Sequence, residues 1–445
     1  MRIQLGDLVQ KTLRRKEPLP RVEEVKRRLG TGADPARIKA LLDLARADPE
    51  MRIQLGDLVQ KTLRRKEPLP RVEEVKRRLG TGADPARDAP TVDEWPAEWI
   101  AAKKTELAPG TLRSYQAHIA NYLVPPLGGI RLDRLRPSHI QAMFDAIAEH
   151  NDHIDQARAS SGERVRSAVR GLRTVGPATQ HRIRATLRSA LNAALRRPDL
   201  PLSLNPAVHV HLPNAPRTRP LVWTPERVAQ WKKTGRVPCQ VMVWTPEQTR
   251  AFLRRARGHR LHALFHLIAL KGLRRGEAVG LPWTETRLGE GTIDIRTQIV
   301  QLGWETITTA PKSLAGQRTV TLDEGTAKVL RAWRRRQAAE RLKAGVGWQD
   351  SGLVFTDEQG RALHPAWVTD QFHRIASWEG LPSIGLHGLR HGAASMMLAA
   401  GVDVKVVSVE LGHASAHFTQ DTYQHVYPDV ARAAAATAAL LDHAE

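Results

Sequence analysis

The sequence predicts a mainly α-helical chain with one small antiparallel β-sheet. Three observations carry this. Apolar residues recur every three or four positions in several stretches, most clearly at Ile183, Leu187, Leu191 and Leu195, the spacing of one helix face. Strict alternation is confined to short runs such as Ile293 with Ile295 and Val320 with Leu322, the period of a half-buried strand. Proline and glycine interrupt the helical stretches rather than dominating them.

The chain opens on a repeat. Residues 1–37 recur letter for letter as 51–87. Stacked repeat arrays need about three or more units, and their copies diverge. Two identical copies read instead as a recent tandem duplication or an assembly artefact. Within a copy, Leu5, Leu8, Val9 and Leu13 form one apolar stripe and Val22, Val25 and Leu29 a second, with Pro18 and Pro20 between them. Each copy carries ten Lys/Arg and five Asp/Glu. That suits either an accessory DNA-binding helical pair or a solvated helical hairpin. The copies define segments 1–50 and 51–90.

From Thr91 the composition changes. Trp95, Trp99 and Ile100 suggest one helix, and Pro109 opens a second with Leu112, Tyr115, Ile119 and Leu123 on one face. Residues 132–147 read as a further helical unit started at Pro137-Ser138. Residues 151–175 are polar and irregular, which predicts a loop. Residues 177–197 then form a clear helix whose Arg182, Arg184, Arg188, Arg196 and Arg197 have no acidic residue among them. Apolar on one side and cationic elsewhere, it suits a phosphate backbone. Arg113, on the helix opened by Pro109, joins Arg182, Arg184 and Arg188 as a candidate DNA contact.

Six prolines between 198 and 220 mark a linker, assigned to 214–242. Val-Trp-Thr-Pro-Glu occurs at 222–226 and again at 243–247. Thr before Pro is an N-cap with Pro in the first turn, so the pentapeptide marks two helix starts. Beyond it, an apolar helix over 261–270 breaks at Lys271-Gly272. The alternating strands follow, with 304–309 between them, and helical patterns return through 366–377, 387–400, 403–411 and the alanine-rich 430–441.

Charge and composition bound the partners. The chain has 68 Lys+Arg against 46 Asp+Glu, a net +22, which argues for a polyanion, most plausibly nucleic acid. Its single cysteine, Cys239, excludes a disulfide scaffold and a cysteine-rich zinc site. No run reaches the ~18 apolar residues of a membrane span, and no signal-peptide pattern opens the chain, so a soluble protein is expected.

Several polar residues of the last 200 or so stand where propensity would not put them. Arg274 follows a break between helices. Lys312 lies at a turn between strands. His387 and Arg390, three apart, share a helix face. His413 follows Gly412, a helix C-cap signal. Tyr423 lies in Asp-Thr-Tyr-Gln-His-Val. Two guanidiniums can grip phosphate oxygens bidentately. Two imidazoles add hydrogen bonds and can move protons near neutral pH. A lysine can protonate a leaving alkoxide, and a tyrosine hydroxyl can attack phosphorus to form an ester. A zinc reading pairs His387 with His391, or His413 with His417. Against it stand the absence of a Glu in the metalloprotease arrangement and the cation of Arg390 beside the first pair. Tyr427 competes with Tyr423, four residues on and on the same helix face.

In order, Gly-Leu-Arg-Arg-Gly-Glu (272–277), Pro-Lys-Ser (311–313), His-Gly-Leu-Arg-His (387–391), Leu-Gly-His (411–413) and Asp-Thr-Tyr-Gln-His-Val (421–426) resemble a tyrosine recombinase of the phage integrase family, most like integrases of actinobacterial mobile elements. The resemblance implies a helical core-binding (SAM-like) domain over 91–213 and a mixed α/β catalytic domain over 243–428. A C-terminal helical tail, 429–445, would dock on a neighbouring protomer. It further implies that Arg274 and Arg390 clamp the scissile phosphate, that His387 and His413 bond its oxygens, that Lys312 is the general acid and that Tyr423 is the nucleophile. The expected activity is site-specific strand exchange through a 3′-phosphotyrosyl intermediate and a Holliday junction, integrating or excising an element. The partners would be duplex attachment sites, a homotetramer on DNA, and an excisionase or host DNA-bending protein. Neither cofactor nor metal is implied, and the location would be the bacterial cytoplasm, at the nucleoid. Gly388 replaces the family's usual acidic residue and Gly392 its Thr or Ser; both changes are expected to be tolerated. A catalytically dead DNA-binding protein and a relaxing enzyme akin to type IB topoisomerase are the alternatives.

Overall fold

The computed structural model describes residues 89–423 except 198, 199, 201, 203, 216–218 and 414, with scattered helical positions between 36 and 76. The first repeat's stripes and the tail 429–445 lie outside the described residues. In the second repeat Leu55, Leu58 and Val75 are helical and buried. The chain divides into two compact units, Met1–Ala215 and Pro216–Glu445.

In the first unit, helices α1 (Glu94–Lys103), α2 (Pro109–His118), α3 (Val124–Leu127), α4 (Pro137–Ala159), α5 (Glu163–Ala168) and α6 (Pro177–Leu195) follow one another, with a π-helical turn over Ile119–Leu123. Proline in the first turn starts α2, α4 and α6, where its missing N–H costs nothing. The core joins Trp95, Trp99, Leu123, Leu127, Ile140, Phe144, Ile183, Leu187 and Leu191. The Trp95 indole donates to the Ala190 carbonyl at 2.8 Å, and Trp99 stacks on Tyr115 at 5.2 Å.

The loop expected over 151–175 is corrected. Helix α4 runs on to Ala159, and α5 occupies 163–168. Ile154, Ala157 and Val169 form a small buried cluster of their own. Three apolar residues among charged neighbours are too sparse to show a helical period in sequence, yet enough to anchor a helix already propagating.

The second unit begins earlier than the linker expectation of 214–242 allowed. Strand β1 (Leu221–Val222) leads into α7 (Pro225–Thr234), and β2 (Met242–Val243) into α8 (Pro246–Ala256). The two strands pair in parallel, Leu221 opposite Met242 and Val222 opposite Val243. Thr224 and Thr245 cap their helices, and Gln248 completes a capping box. The repeated pentapeptide thus builds the same strand–helix unit twice. Trp223 and Trp244 are buried, and their indoles donate to the adjacent carbonyls of Ser383 and Pro382.

Next come α9 (His262–Lys271) and α10 (Arg275–Val279). Strands β3 (Thr286–Arg287), β4 (Thr292–Ile295) and β7 (Arg318–Thr321) form an antiparallel sheet with Ile293 opposite Val320. Strands β5 (Gln298–Leu302) and β6 (Glu305–Thr309) form a separate hairpin. The single expected sheet is therefore three pieces, one of them parallel. Helices α11 (Glu324–Ala344), α12 (Pro365–Trp378), α13 (His387–Ala399), α14 (Val404–Leu411) and α15 (Ala416–Tyr423) complete the unit. Trp244, Phe252, Phe265 and Phe372 cluster at the centre of its core. Among the described residues, no helix is long and apolar enough to cross a membrane.

Candidate functional site

Two helix ends and one helix start build the site. Helix α9 ends at Gly272 and α14 at Gly412, both with positive φ. At Gly412 the left-handed turn lets the His413 N–H reach back to the Ser408 carbonyl, 3.0 Å away, a Schellman-type closure. A Cβ at 412 would meet the Ala315 carbonyl at 2.8 Å. The loop that carries Lys312 therefore packs directly on the turn that carries His413.

Arg274 and Arg390 converge on that turn. Arg274 Nη2 donates to the Gly412 carbonyl at 2.9 Å, and Arg390 Nη2 to the neighbouring Leu411 carbonyl at 2.6 Å. Arg390 Nη1 donates to the Gly272 carbonyl, also at 2.6 Å. Arg390 is 1% exposed, so its charge is held by backbone dipoles as well as by covalent placement on α13. Arg274 is more open, with 35% of its side chain exposed.

The histidines sit in the field of these cations. His387 and His391 meet edge to face at 4.7 Å on α13. His413 Nδ1 pairs with the Thr419 hydroxyl of α15 at 2.8 Å. Burial first, and then the charges of Arg390 and Arg274, push the His413 imidazole down to about 3. His391 is also held to about 3, by burial and by His387 and Arg390. His387 is lowered by the same causes, with Arg390 and Arg274 following burial. Its ring keeps an exposed face. All three are neutral at pH 7.

Lys312 is exposed in the loop between β6 and β7. Tyr423 closes α15; its side chain, and the whole of Tyr427, lie outside the described residues. Gly388 packs against β2: a Cβ there would stand 2.9 Å from the Met242 carbonyl. The departure at 388 is thus a requirement of close packing, beyond the tolerance expected for it.

Sequence reasoning missed Arg318. Its side chain is 4% exposed and pairs with Glu277, itself 1% exposed. The signal was present: Arg318 and Val320 alternate along β7, with Leu322 just beyond its end, which puts a cation on the buried face of a strand. The candidate DNA contacts divide. Arg113, Arg182 and Arg188 are exposed. Arg184 is instead half-buried, its Nη1 donating to the Val210 carbonyl at 2.9 Å. Its place on a cationic face hid a packing role.

Comparison with known proteins matches residues 243–429 to the Phage integrase family and residues 91–146 to the phage integrase N-terminal SAM-like domain. A tyrosine recombinase XerC-like protein of Caldanaerobacter subterraneus subsp. tengcongensis is 30% identical over 205 residues, 43% of this chain and 52% of the relative. The chain thus spans about half the length of that relative. An integrase of Saccharopolyspora erythraea is 25% identical over 398 residues, 76% of this chain and 80% of that one. Among solved structures, the Tn1549 transposon integrase in complex with transposon right end DNA shares the fold at a TM-score of 0.56 and 18% identity, covering 78% of this chain and 99% of that one.

Proposed function

The chain belongs to the phage integrase family of tyrosine recombinases, and on that premise we propose that it cuts and rejoins duplex DNA at specific sites, integrating or excising a mobile element. The observation that carries this reading is the convergence of Arg274, Arg390 and His413 on the turn at 411–413, with the Lys312 loop packed on it. Here cationic charge is fixed before any substrate arrives, which is how phosphoryl transfer is accelerated.

In this mechanism the Tyr423 oxygen attacks the scissile phosphorus and its proton passes to a neutral imidazole, that of His387. The P–O5′ bond breaks, and Lys312 donates a proton to the departing 5′ oxygen. Arg274 and Arg390 balance the charge of the five-coordinate phosphorus. The 3′-phosphotyrosyl ester keeps the energy of the broken bond. A 5′-hydroxyl from a partner strand can then attack it, so exchange through a Holliday junction needs no nucleotide. Two duplexes exchanged in this way require four protomers, and the tail 429–445 is proposed to dock on a neighbour within that tetramer. Arg113, Arg182 and Arg188 would hold the duplex backbone. An excisionase or a host bending protein would set direction. The names of the Saccharopolyspora integrase and the Tn1549 transposon integrase support the mobile-element role.

The test is a trapping assay with nicked attachment-site duplex, using sequence flanking the gene as candidate site. A covalent protein–DNA adduct is expected from the full chain. It should be absent from Tyr423→Phe, persist with EDTA, and remain in Tyr427→Phe. An adduct that survives Tyr423→Phe, or one lost with EDTA, would overturn the reading.

A further inference from the structure

We infer that Arg318 is a positioning residue that takes up the charge of Glu277, so that the charge of Arg274 remains available to an anion. The inference rests on the recombinase reading above and extends it to a residue outside the six.

The geometry is specific. The Glu277 carboxylate accepts four hydrogen bonds. Arg274 supplies two, from its backbone N–H at 2.8 Å and from Nη1 at 2.6 Å. Arg318 supplies the other two, from Nη1 at 3.2 Å and Nη2 at 3.0 Å. Arg318 also donates through Nε to the Glu410 carbonyl at 2.6 Å and through Nη1 to the Gly316 carbonyl at 3.1 Å. All three of its nitrogens point inward, so it has no reach to a substrate.

Charge then decides the matter. Arg274 and Glu277 alone would be a neutral pair, and a phosphate approaching Arg274 would meet a carboxylate just behind the guanidinium. Opposite charges so close cancel most of each other's field. With Arg318 added, two cations share one anion and the group carries a net positive charge. Of the three side chains, only that of Arg274 is open to solvent to any extent. Glu277 stays ionised in this setting. Burial alone would push its carboxyl up, but the hydrogen bond and charge of Arg318, followed by Arg274, hold it below the ordinary carboxylate value.

Arg318 also joins three pieces of the site. It binds the residue that caps α10 beside Arg274, the end of α14 just before His413, and the loop that carries Lys312. A purely mechanical role is therefore the rival explanation, and the experiment has to separate charge from mechanics.

Single-turnover cleavage of the nicked duplex by the full chain does so. Arg318→Gln is expected to slow cleavage about a hundredfold, of the order seen when one preorganised electrostatic contact is lost, with duplex binding within about twofold. The double variant Arg318→Gln, Glu277→Gln removes one charge of each sign and restores the net charge. It should recover at least about tenfold over the single variant, because the two changes are coupled through one pair. On a duplex whose scissile phosphate is a neutral methylphosphonate, the gap between Arg318→Gln and wild type should narrow to a few-fold. A mechanical defect would be equal on both substrates and would deepen in the double variant; either result overturns the inference. Should Arg318→Gln fail to fold, Arg318→Lys keeps the charge without the fork. It is expected to cleave within about tenfold of wild type, and a loss as deep as that of Arg274→Gln would overturn the inference. Wild type that forms no adduct on cognate DNA counts against the recombinase reading. Wild type that cleaves while the double variant shows no recovery counts against Arg318 alone.

Discussion

In the first unit Arg182 and Arg188 project from α6 into solvent, and among the described residues neither takes part in an ion pair. In the second unit Arg318 and Arg390 are almost wholly buried and bonded to carbonyls or a carboxylate. The same side chain is being used in two ways. An exposed guanidinium on a flexible stem adapts to whatever phosphate arrives, and its effect is screened by salt. A buried one has already lost its rotamer freedom during folding. It cannot adapt, but it costs no reorganisation when charge develops beside it. Surface arginines are therefore suited to holding DNA, and buried ones to fixing charge in place before DNA arrives.

The largest effect should come from the most buried cation. Arg390→Ala leaves the Gly272 and Leu411 carbonyls without their charged donor, and each buried unsatisfied group costs about 1–3 kcal/mol. The second unit should melt several degrees lower. Cleavage should fall about a thousandfold, as charge-assisted bonds worth about 1.5–3 kcal/mol each are lost, while duplex binding changes little. Thermal melts, adduct formation and gel shifts measure the three quantities. Equal loss of binding and cleavage would make Arg390 a docking contact and erase the contrast with α6.

Acid should strike the two units unequally. His391 and His413 are held to about 3 in the folded chain, and His266 to about 4, chiefly by burial. In the unfolded chain each would titrate near 6.5. Between those values the unfolded state binds more protons, so stability is full above about pH 6.5 and is lost as pH falls below it. The first unit contributes His118, lowered by burial and then by Arg182. Hydrogen exchange at pH 7.5 and pH 5 should show protection falling first over 216–423. Parallel loss in both units would mean that the second unit's histidines are not the source.

These contrasts also show what a sequence can reveal. Arg274, Lys312, His387, Arg390 and His413 were legible because each interrupts a local pattern: a polar residue at a helix break, a strand turn or a helix start. The capped helices were legible through Thr-Pro signals, since the cap is a local interaction. The parallel pairing of β1 with β2 was not, because nothing within either two-residue strand encodes its partner. The continuation of α4 past 150 was hidden by dilution: Ile154 and Ala157 are its only fully buried residues there. Arg318 went unseen because its three partners, Glu277, Gly316 and Glu410, include two separated from it by 41 and 92 positions. Burial of a charge is a tertiary property, and only the alternation of β7 hinted at it.

A smaller effect is expected from the exposed cations. The double variant Arg182→Ala, Arg188→Ala should keep its melting temperature, since surface changes usually stay within about 0.5 kcal/mol. If both contact phosphates, the slope of log affinity against log salt should flatten by about two units. Binding measured from low to moderate salt gives that slope. An unchanged slope would remove this face of α6 from the interface and leave the exposed arginines as plain solvated charge.

The smallest effect on DNA binding, and the one that sharpens the comparison most, belongs to Arg184. By sequence it is one of four candidate DNA contacts, spaced like its neighbours along a cationic helix. In the structure its guanidinium donates to the Val210 carbonyl at 2.9 Å, and Val210 is 3% exposed. Arg184 thus fastens the segment after the 3-10 turn at Pro206–His209 onto α6. Removing it should cost about 1.5–3 kcal/mol, the worth of a hydrogen bond from a charged donor to a buried acceptor. The salt slope should not move. Arg184→Ala is therefore expected to lower the urea midpoint while Arg182→Ala, Arg188→Ala does not, with the order reversed for the salt slope. A variant at 184 that kept its urea midpoint and lost one unit of slope would return Arg184 to the DNA-facing set, since the carbonyl bond would then contribute nothing that solvent does not replace.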